Sequence, residues 1–161
     1  MRHESVFEKG IIVRHRQILL TPADLIWKTE TRVRFSEVDS MNIVWHGEYV
    51  KYFEDGREAF GRHYEGLGYM DFYKNGFVAP MVDLQIQFKA PLKCNDVAEI
   101  ETRYINTESA KICFEYAIRR KGDNLLMAVG RSVQVFLDLK GNLELWCPKF
   151  YHEWKKKWGI I

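Results

Sequence analysis

The chain predicts an α+β domain, with one long helix set against an antiparallel sheet of five or more strands. Two observations carry this. A single helical stretch has its apolar residues at three- and four-residue steps, running from about Glu48 to Tyr64. One strand-like segment precedes it, and four period-two segments follow in succession. Strands that follow one another through short turns pair as antiparallel neighbours. At 161 residues, with 47% hydrophobic and 29% charged residues, the chain is long enough to bury one core.

The first thirty residues read as an extension. Gly10-Ile11-Ile12-Val13 is a short apolar run, Arg14-His15-Arg16 a basic patch, and Ile18-Leu19-Leu20 a second apolar run. Thr21-Pro22-Ala23-Asp24 has the makings of a helix start, with a capping threonine, proline in the first turn and an early acid. We expect residues 1–30 to strap against the domain or a partner subunit, and residues 31–161 to form the single domain.

Arg32-Val33-Arg34-Phe35 alternates as a half-buried strand does. A polar turn from Ser36 to Gly47 leads into the helix. There Tyr49, Val50, Tyr52, Phe53, Ala59, Phe60 and Tyr64 form the apolar face, and Lys51, Glu54, Asp55, Glu58 and Arg62 the wet one. Gly56 interrupts the helix interior, where glycine costs up to about 1 kcal/mol against alanine. A tight contact with the sheet and a tolerated surface glycine are both open readings. Gly66 and Gly68 end the helix, and Tyr69 to Gly76 form a loop or short helix. Four strands are expected around Val82–Phe88, Ala98–Tyr104, Ile112–Ile118 and Leu125–Asp138, the last two joined by a turn at Lys121-Gly122-Asp123-Asn124. Ala128, Gly130 and Ser132 give the last strand a small-residue face that would let the central helix approach. A short helix is expected after Pro148, its lysines near the carboxyl end.

Several function classes lose support at this point. A net charge of +2 gives no global reason for nucleic acid or an anionic surface. No apolar run approaches the ~20 residues of a membrane span. The start, Met1-Arg2-His3-Glu4-Ser5, is unlike a secretory leader, so a cytoplasmic protein is expected. Cys94, Cys113 and Cys147 are odd in number and lack metal-ligand spacing, so they read as reduced thiols, with no metal expected.

Chemistry concentrates at the turn before the helix. A helix N-terminus presents unpaired N–H groups and partial positive charge, which favour a carboxylate or a developing oxyanion. Asp39 and His46 fall within that turn. Taken singly, Asp39 also reads as a cap or turn residue, and His46 as a structural histidine.

The ordered series Asp39, His46, Tyr49, Tyr52-Phe53-Glu54 and Arg57 resembles the opening signature of the 4-hydroxybenzoyl-CoA thioesterase-like group of hotdog-fold acyl-CoA thioesterases, nearest to its short bacterial branch. Asp83 to Leu92, with its closing Pro91, is similar to the family's second strand and turn, and the resemblance spans roughly Thr31 to Asp138. It implies a hotdog: a curved antiparallel sheet wrapped round a central helix. It implies hydrolysis of an acyl- or aroyl-thioester, on coenzyme A or a carrier protein, with no cofactor beyond the coenzyme A of the substrate. Asp39 falls on the family's general base or nucleophile. His46 falls on a histidine that orients water or polarises the thioester. Asn42, Trp45, Gly47 and Tyr49 are the oxyanion and substrate-binding candidates. A homodimer or dimer of dimers is implied as well.

Departures from the pattern are specific. Phe35 stands where a tyrosine is common, and Asn42 where a glycine is common. Trp45, Phe72, Tyr73 and Phe77 suit a bulky acyl or aryl pocket, or simple packing. Lys89, Arg119, Arg120, Lys121 and Arg131 are available for the coenzyme's phosphates. The competing readings are a hotdog hydratase or dehydratase, whose proline-rich segment after the histidine is missing from His46-Gly47-Glu48-Tyr49, and a non-catalytic acyl-thioester binding module.

Overall fold

The computed structural model describes residues 17–161. The strands are β1 Leu25–Arg32, β2 Phe77–Val78, β3 Met81–Phe88, β4 Val97–Ile105, β5 Lys111–Arg120, β6 Leu126–Val135 and β7 Leu137–Asp138. The helices are α1 Glu48–His63, α2 Tyr69–Lys74 and α3 Lys149–Lys157. Five strands form one antiparallel sheet in the order β1-β4-β5-β6-β3, and β2 pairs with β7 in a separate ribbon. This is the α+β architecture expected.

The sheet starts earlier than the sequence pattern suggests. All eight residues of β1 pair with β4, from Leu25 opposite Tyr104 to Arg32 opposite Val97. Residues 25–30 therefore lie within the sheet. Thr21 to Asp24 form no helix; the Thr21 amide and hydroxyl both donate to Glu115, at 2.6 and 2.5 Å. The Ile18 amide donates to Gln87 Oε1, and Arg103 donates to the Thr21 carbonyl. Residues 18–21 thus cross the outer face of the sheet as a strap. Gly10–Val13 and Arg14–Arg16 lie outside the described residues.

A second correction concerns Arg32 to Phe35. Val33 is buried, but the strand ends at Arg32, and Phe35 opens a short 3-10 turn, Phe35–Glu37, with its ring exposed. The cause is local. The Glu37 carboxylate accepts the Arg34 amide at 2.9 Å and the Glu37 amide donates to the Arg34 carbonyl at 3.0 Å, a closed loop that competes with the ladder.

α1 buries Tyr49, Tyr52, Phe53, Gly56, Ala59 and Phe60 against the sheet. Gly56 is there because the sheet is close: a Cβ would sit 2.5 Å from Thr102 Oγ1 and 2.8 Å from Ile100 Cγ2. Gly130 answers the same demand across the helix, since its Cβ would strike the Phe53 ring at 2.4 Å. Ser132 instead shares a 2.6 Å hydrogen bond with the buried Tyr116 hydroxyl. The long last strand breaks at Phe136, whose buried ring meets Phe72, Phe77, Phe150 and Tyr151. Beside that cluster, α3 lays Tyr151 and Trp154 on Tyr104. Gly66 takes a positive φ of 118° past the end of α1, which glycine adopts without strain. No helix among the described residues is long and apolar enough to cross a membrane.

Candidate active site

The turn before α1 is a small backbone-built hairpin. Val38 and Val44 form an antiparallel bridge, the Asp39 amide donates to the Ile43 carbonyl, and the Asn42 amide donates to the Asp39 carbonyl. Asn42 has φ 60°, a left-handed conformation that asparagine tolerates, which accounts for a non-glycine residue there. The hairpin is tied down from both sides. Val44 donates to the Leu92 carbonyl after β3, and Trp45 donates to the Glu37 carbonyl, each at 2.9 Å.

Asp39 is half-buried at the hairpin tip. Its Oδ1 accepts the Met41 amide at 2.8 Å, and Oδ2 has no protein partner among the described residues. One oxygen orients the group and the other is open to a substrate or a water. No hydrogen bond or ion pair joins Asp39 to His46. The His46 imidazole is exposed and tilts against Trp45, with ring centroids 4.9 Å apart.

Gly47 is the residue before the first turn of α1, with helical dihedrals (φ −67°, ψ −21°) and no side-chain cap. The Trp45 indole folds over it so closely that a Cβ would lie 2.1 Å from the ring, so any larger residue would have to displace the indole. Glu48 and Tyr49 turn their amides back to the carbonyls of Trp45 and His46, whereas the Gly47 amide has no acceptor among the described residues. An unpaired amide at the positive end of a sixteen-residue helix is a ready donor to an oxyanion. Tyr49 is buried: its hydroxyl accepts the Leu92 amide at 3.4 Å and its ring packs on Phe88 and Tyr52, while burial raises its pKa.

Glu37 was not a sequence candidate. Its carboxylate accepts the Arg34 amide and the Tyr52 hydroxyl (2.7 Å) while its carbonyl holds Trp45, so one residue ties strand, hairpin and helix together. Burial first, and then the bond to Glu37, push the Tyr52 hydroxyl well above the usual phenol range. Fifteen residues separate the pair, so neither strand nor helix periodicity reveals it. Arg57, part of the family-like series but given no role there, is a mostly buried guanidinium bonded to Glu54 and Gln134.

The sequence-predicted aromatics divide. Trp45 and Tyr73 are exposed, whereas Phe72 and Phe77 pack with Phe136 and Phe150 away from the turn. Of the basic residues, Arg131 pairs with Glu115, Lys121 with Glu30 and Arg120 with Asp123; Lys89 reaches Gln87, and Arg119 Nη1 is buried with no hydrogen-bond partner among the described residues.

Residues 33–155 match the family model described as the Thioesterase-like superfamily, and the chain belongs to that family. A Bacillus subtilis (strain 168) protein named as an acyl-CoA thioesterase, YneP, is 29% identical over 127 residues, covering 79% of this chain and 91% of that one. The structure of a DHNA-CoA thioesterase from Staphylococcus aureus superposes with TM-score 0.74 at 22% identity, covering 84% of this chain and 91% of that one. A 4-hydroxybenzoyl-CoA thioesterase variant in complex with 4-hydroxybenzoyl-CoA gives TM-score 0.71 at 18% identity, over 81% and 98% of the two chains. These structures share the hotdog fold with this chain.

Proposed function

We propose that this protein is an acyl-CoA thioesterase that hydrolyses the thioester of an acyl- or aroyl-CoA to the free acid and coenzyme A. One observation carries the reading: in a chain of the Thioesterase-like superfamily, a single hairpin presents a carboxylate with an open oxygen and an unpaired helix-start amide. A thiolate leaves readily, so the site needs an attacking oxygen and a donor for the carbonyl oxygen more than it needs acid assistance.

Asp39 Oδ2 takes the proton of a water that attacks the carbonyl carbon, or attacks that carbon itself to form an anhydride that water then opens. The Gly47 amide, with the dipole of α1 behind it, holds the oxyanion as the C–S bond breaks. His46, exposed at the hairpin's other limb, orients the water or polarises the carbonyl. Trp45 covers Gly47 and borders the thioester, and Asn42 and Tyr49 shape the surround. No step requires a cofactor.

We further propose a homodimer joined through β3, or a dimer of two such dimers, acting on coenzyme A or carrier-protein thioesters in the cytoplasm. β3 is an edge of the sheet, and its Val82 and Phe88 are 59% and 53% exposed, a liability that pairing would cover. The three unpaired cysteines suit a reducing compartment.

The test is a panel of acyl-CoA and acyl-carrier-protein thioesters with a thiol-trapping dye. Release of thiol is expected from at least one, while tight binding of every thioester without release would identify a binding module. Light scattering at micromolar concentration should give twice the chain mass or a multiple of it. Single-turnover hydrolysis in oxygen-18 water bears on the two roles of Asp39: label in the protein identifies the anhydride route with water attacking the Asp39 carboxyl carbon, whereas label in the product acid alone is given both by the general-base route and by an anhydride opened at the acyl carbon.

A further inference from the structure

A cavity of about 780 Å³ lies beside the second half of α1, and nothing in the hairpin chemistry uses it. Its volume is that of a ligand site, and its wall is largely apolar, with Leu67, Phe72, Phe114 and Leu137 among the lining residues. Two polar groups stand out there, Arg57 and Gln134. Arg57 Nη1 donates to Gln134 Oε1 at 3.3 Å, Nη2 to Glu54, and the side chain is only 13% exposed. Gln134 is itself fixed, its amide nitrogen donating to the Ala79 carbonyl at 2.6 Å. Beneath them is the Tyr116 hydroxyl, which burial pushes up to about 12 against the opposing pull of the Arg57 cation. The other charges around the mouth are already engaged: Arg62 with Glu58, and Asp71 with the Gly68 amide.

The cavity lies on the same stripe of α1 as the hairpin. His46, Val50, Glu54, Arg57 and Gly61 follow one another at steps of four, four, three and four residues, which places them along one side of the helical path. Gly47 has helical dihedrals and the Tyr49 amide turns back to the His46 carbonyl, so that path begins at His46. From Glu48 to Arg57 the helix advances about 14 Å. A fully extended chain covers roughly 1.2 Å per bond, so about a dozen atoms span that distance.

We infer that the cavity receives the far end of the acyl group and that Arg57, held by Gln134, selects a long acyl group carrying a neutral oxygen near its end. The inference rests on the thioesterase reading. A guanidinium has five N–H donors, more than Gln134, Glu54 and Tyr116 use. Because Glu54 already neutralises its charge, a hydroxyl or keto oxygen fits there better than a second carboxylate, which Glu54 would repel. An aryl group of a single ring, attached at the hairpin, stops short of Arg57.

The experiment compares dodecanoyl-CoA with 12-hydroxydodecanoyl-CoA, using the ratio of their kcat/KM values in wild type, Arg57→Met and Arg57→Lys. Wild type should favour the hydroxylated substrate by roughly tenfold or more, since a hydrogen bond to a charged donor is at stake. Arg57→Met should bring the ratio close to one. Arg57→Lys, which keeps the cation and loses the planar fork, should fall between, and it carries the test if the methionine variant does not fold. Calorimetric binding of dodecanoate and 12-hydroxydodecanoate to the same proteins is the readout independent of turnover. Preferential binding of the hydroxy acid, lost in the variants, supports the cavity assignment even if no thioester is hydrolysed, in which case only the catalytic reading falls. Hydrolysis of both thioesters with no preference, or with a preference that survives in the variants, overturns the cavity assignment and leaves the catalytic reading standing.

Discussion

The two ends of α1 are built by different physics. At its start, the Asp39 hairpin is held by backbone hydrogen bonds and by Glu37, with Asp39 half-buried and Met41, Trp45 and His46 facing water. Toward its end, Phe60 stacks into Tyr64, Tyr104 and Phe114, and beyond it α3 and Phe136 close a continuous aromatic cluster. Directional bonds place a carboxylate and an amide without much burial, so they can stay wet and reactive. Aromatic packing supplies stability and leaves nothing free to react. A substitution at one end should therefore move turnover, and one at the other should move melting.

The largest separation is expected from Asp39→Asn. It keeps the size of the side chain and the oxygen that accepts the Met41 amide, but removes the charge that activates water or attacks carbon. Turnover of the best thioester should fall about 10²–10⁴-fold, with little change in melting temperature. Retention of more than about a tenth of the wild-type rate would sink the assignment. At the other end, Phe136→Ala removes a fully buried ring with four aromatic neighbours and should cost about 3–5 kcal/mol of stability. Its signature in denaturant melts is a lower midpoint with near-normal kcat per folded molecule. A large loss of kcat without loss of stability would mean that the two ends are not separable.

Gly56→Ala probes the contact between them. Alanine favours the helix by up to about 1 kcal/mol, but here its methyl meets Thr102 and Ile100 well inside contact distance. The clash should win, for a net loss of about 1–3 kcal/mol. Melting at or above the wild-type temperature would show that the sheet yields there.

What the sequence made legible follows the same division. Regular elements announce themselves by period, so α1 and the four later strands were readable, and the tight packing implied by Gly56 and Gly130 was at least visible. β1 was not. As an edge strand its segment, Leu-Ile-Trp-Lys-Thr-Glu-Thr-Arg, carries its apolar residues at one end only, so alternation is absent. Phe35 misled for the opposite reason, completing an alternation that a local Glu37–Arg34 loop interrupts. Asp39, His46 and Gly47 stood out as candidates through the order of residues around a helix start. Glu37 did not, and Arg57, although part of that order, suggested no role, because their partners, Tyr52 and Gln134, are brought to them by the fold.

Tyr52→Phe is the smallest and most discriminating change. The ring is buried on the apolar face of α1, so phenylalanine keeps the packing and removes only the hydroxyl. That hydroxyl donates to a carboxylate still bound by the Arg34 amide, so Glu37 is not stranded, and about 1.5–3 kcal/mol of stability, the worth of a hydrogen bond to a charged group, is at stake. If Glu37 merely caps a turn, turnover per folded molecule should be unchanged. If it sets the limb that carries Trp45 and Gly47, the oxyanion donor shifts by a fraction of an ångström, and kcat should fall a few-fold with KM nearly constant. Glu37→Gln, which keeps the shape and removes the charge, should lower kcat in the same direction. A fall in KM-limited rates alone, at unchanged kcat, would place the pair in substrate binding and detach it from the geometry of the hairpin.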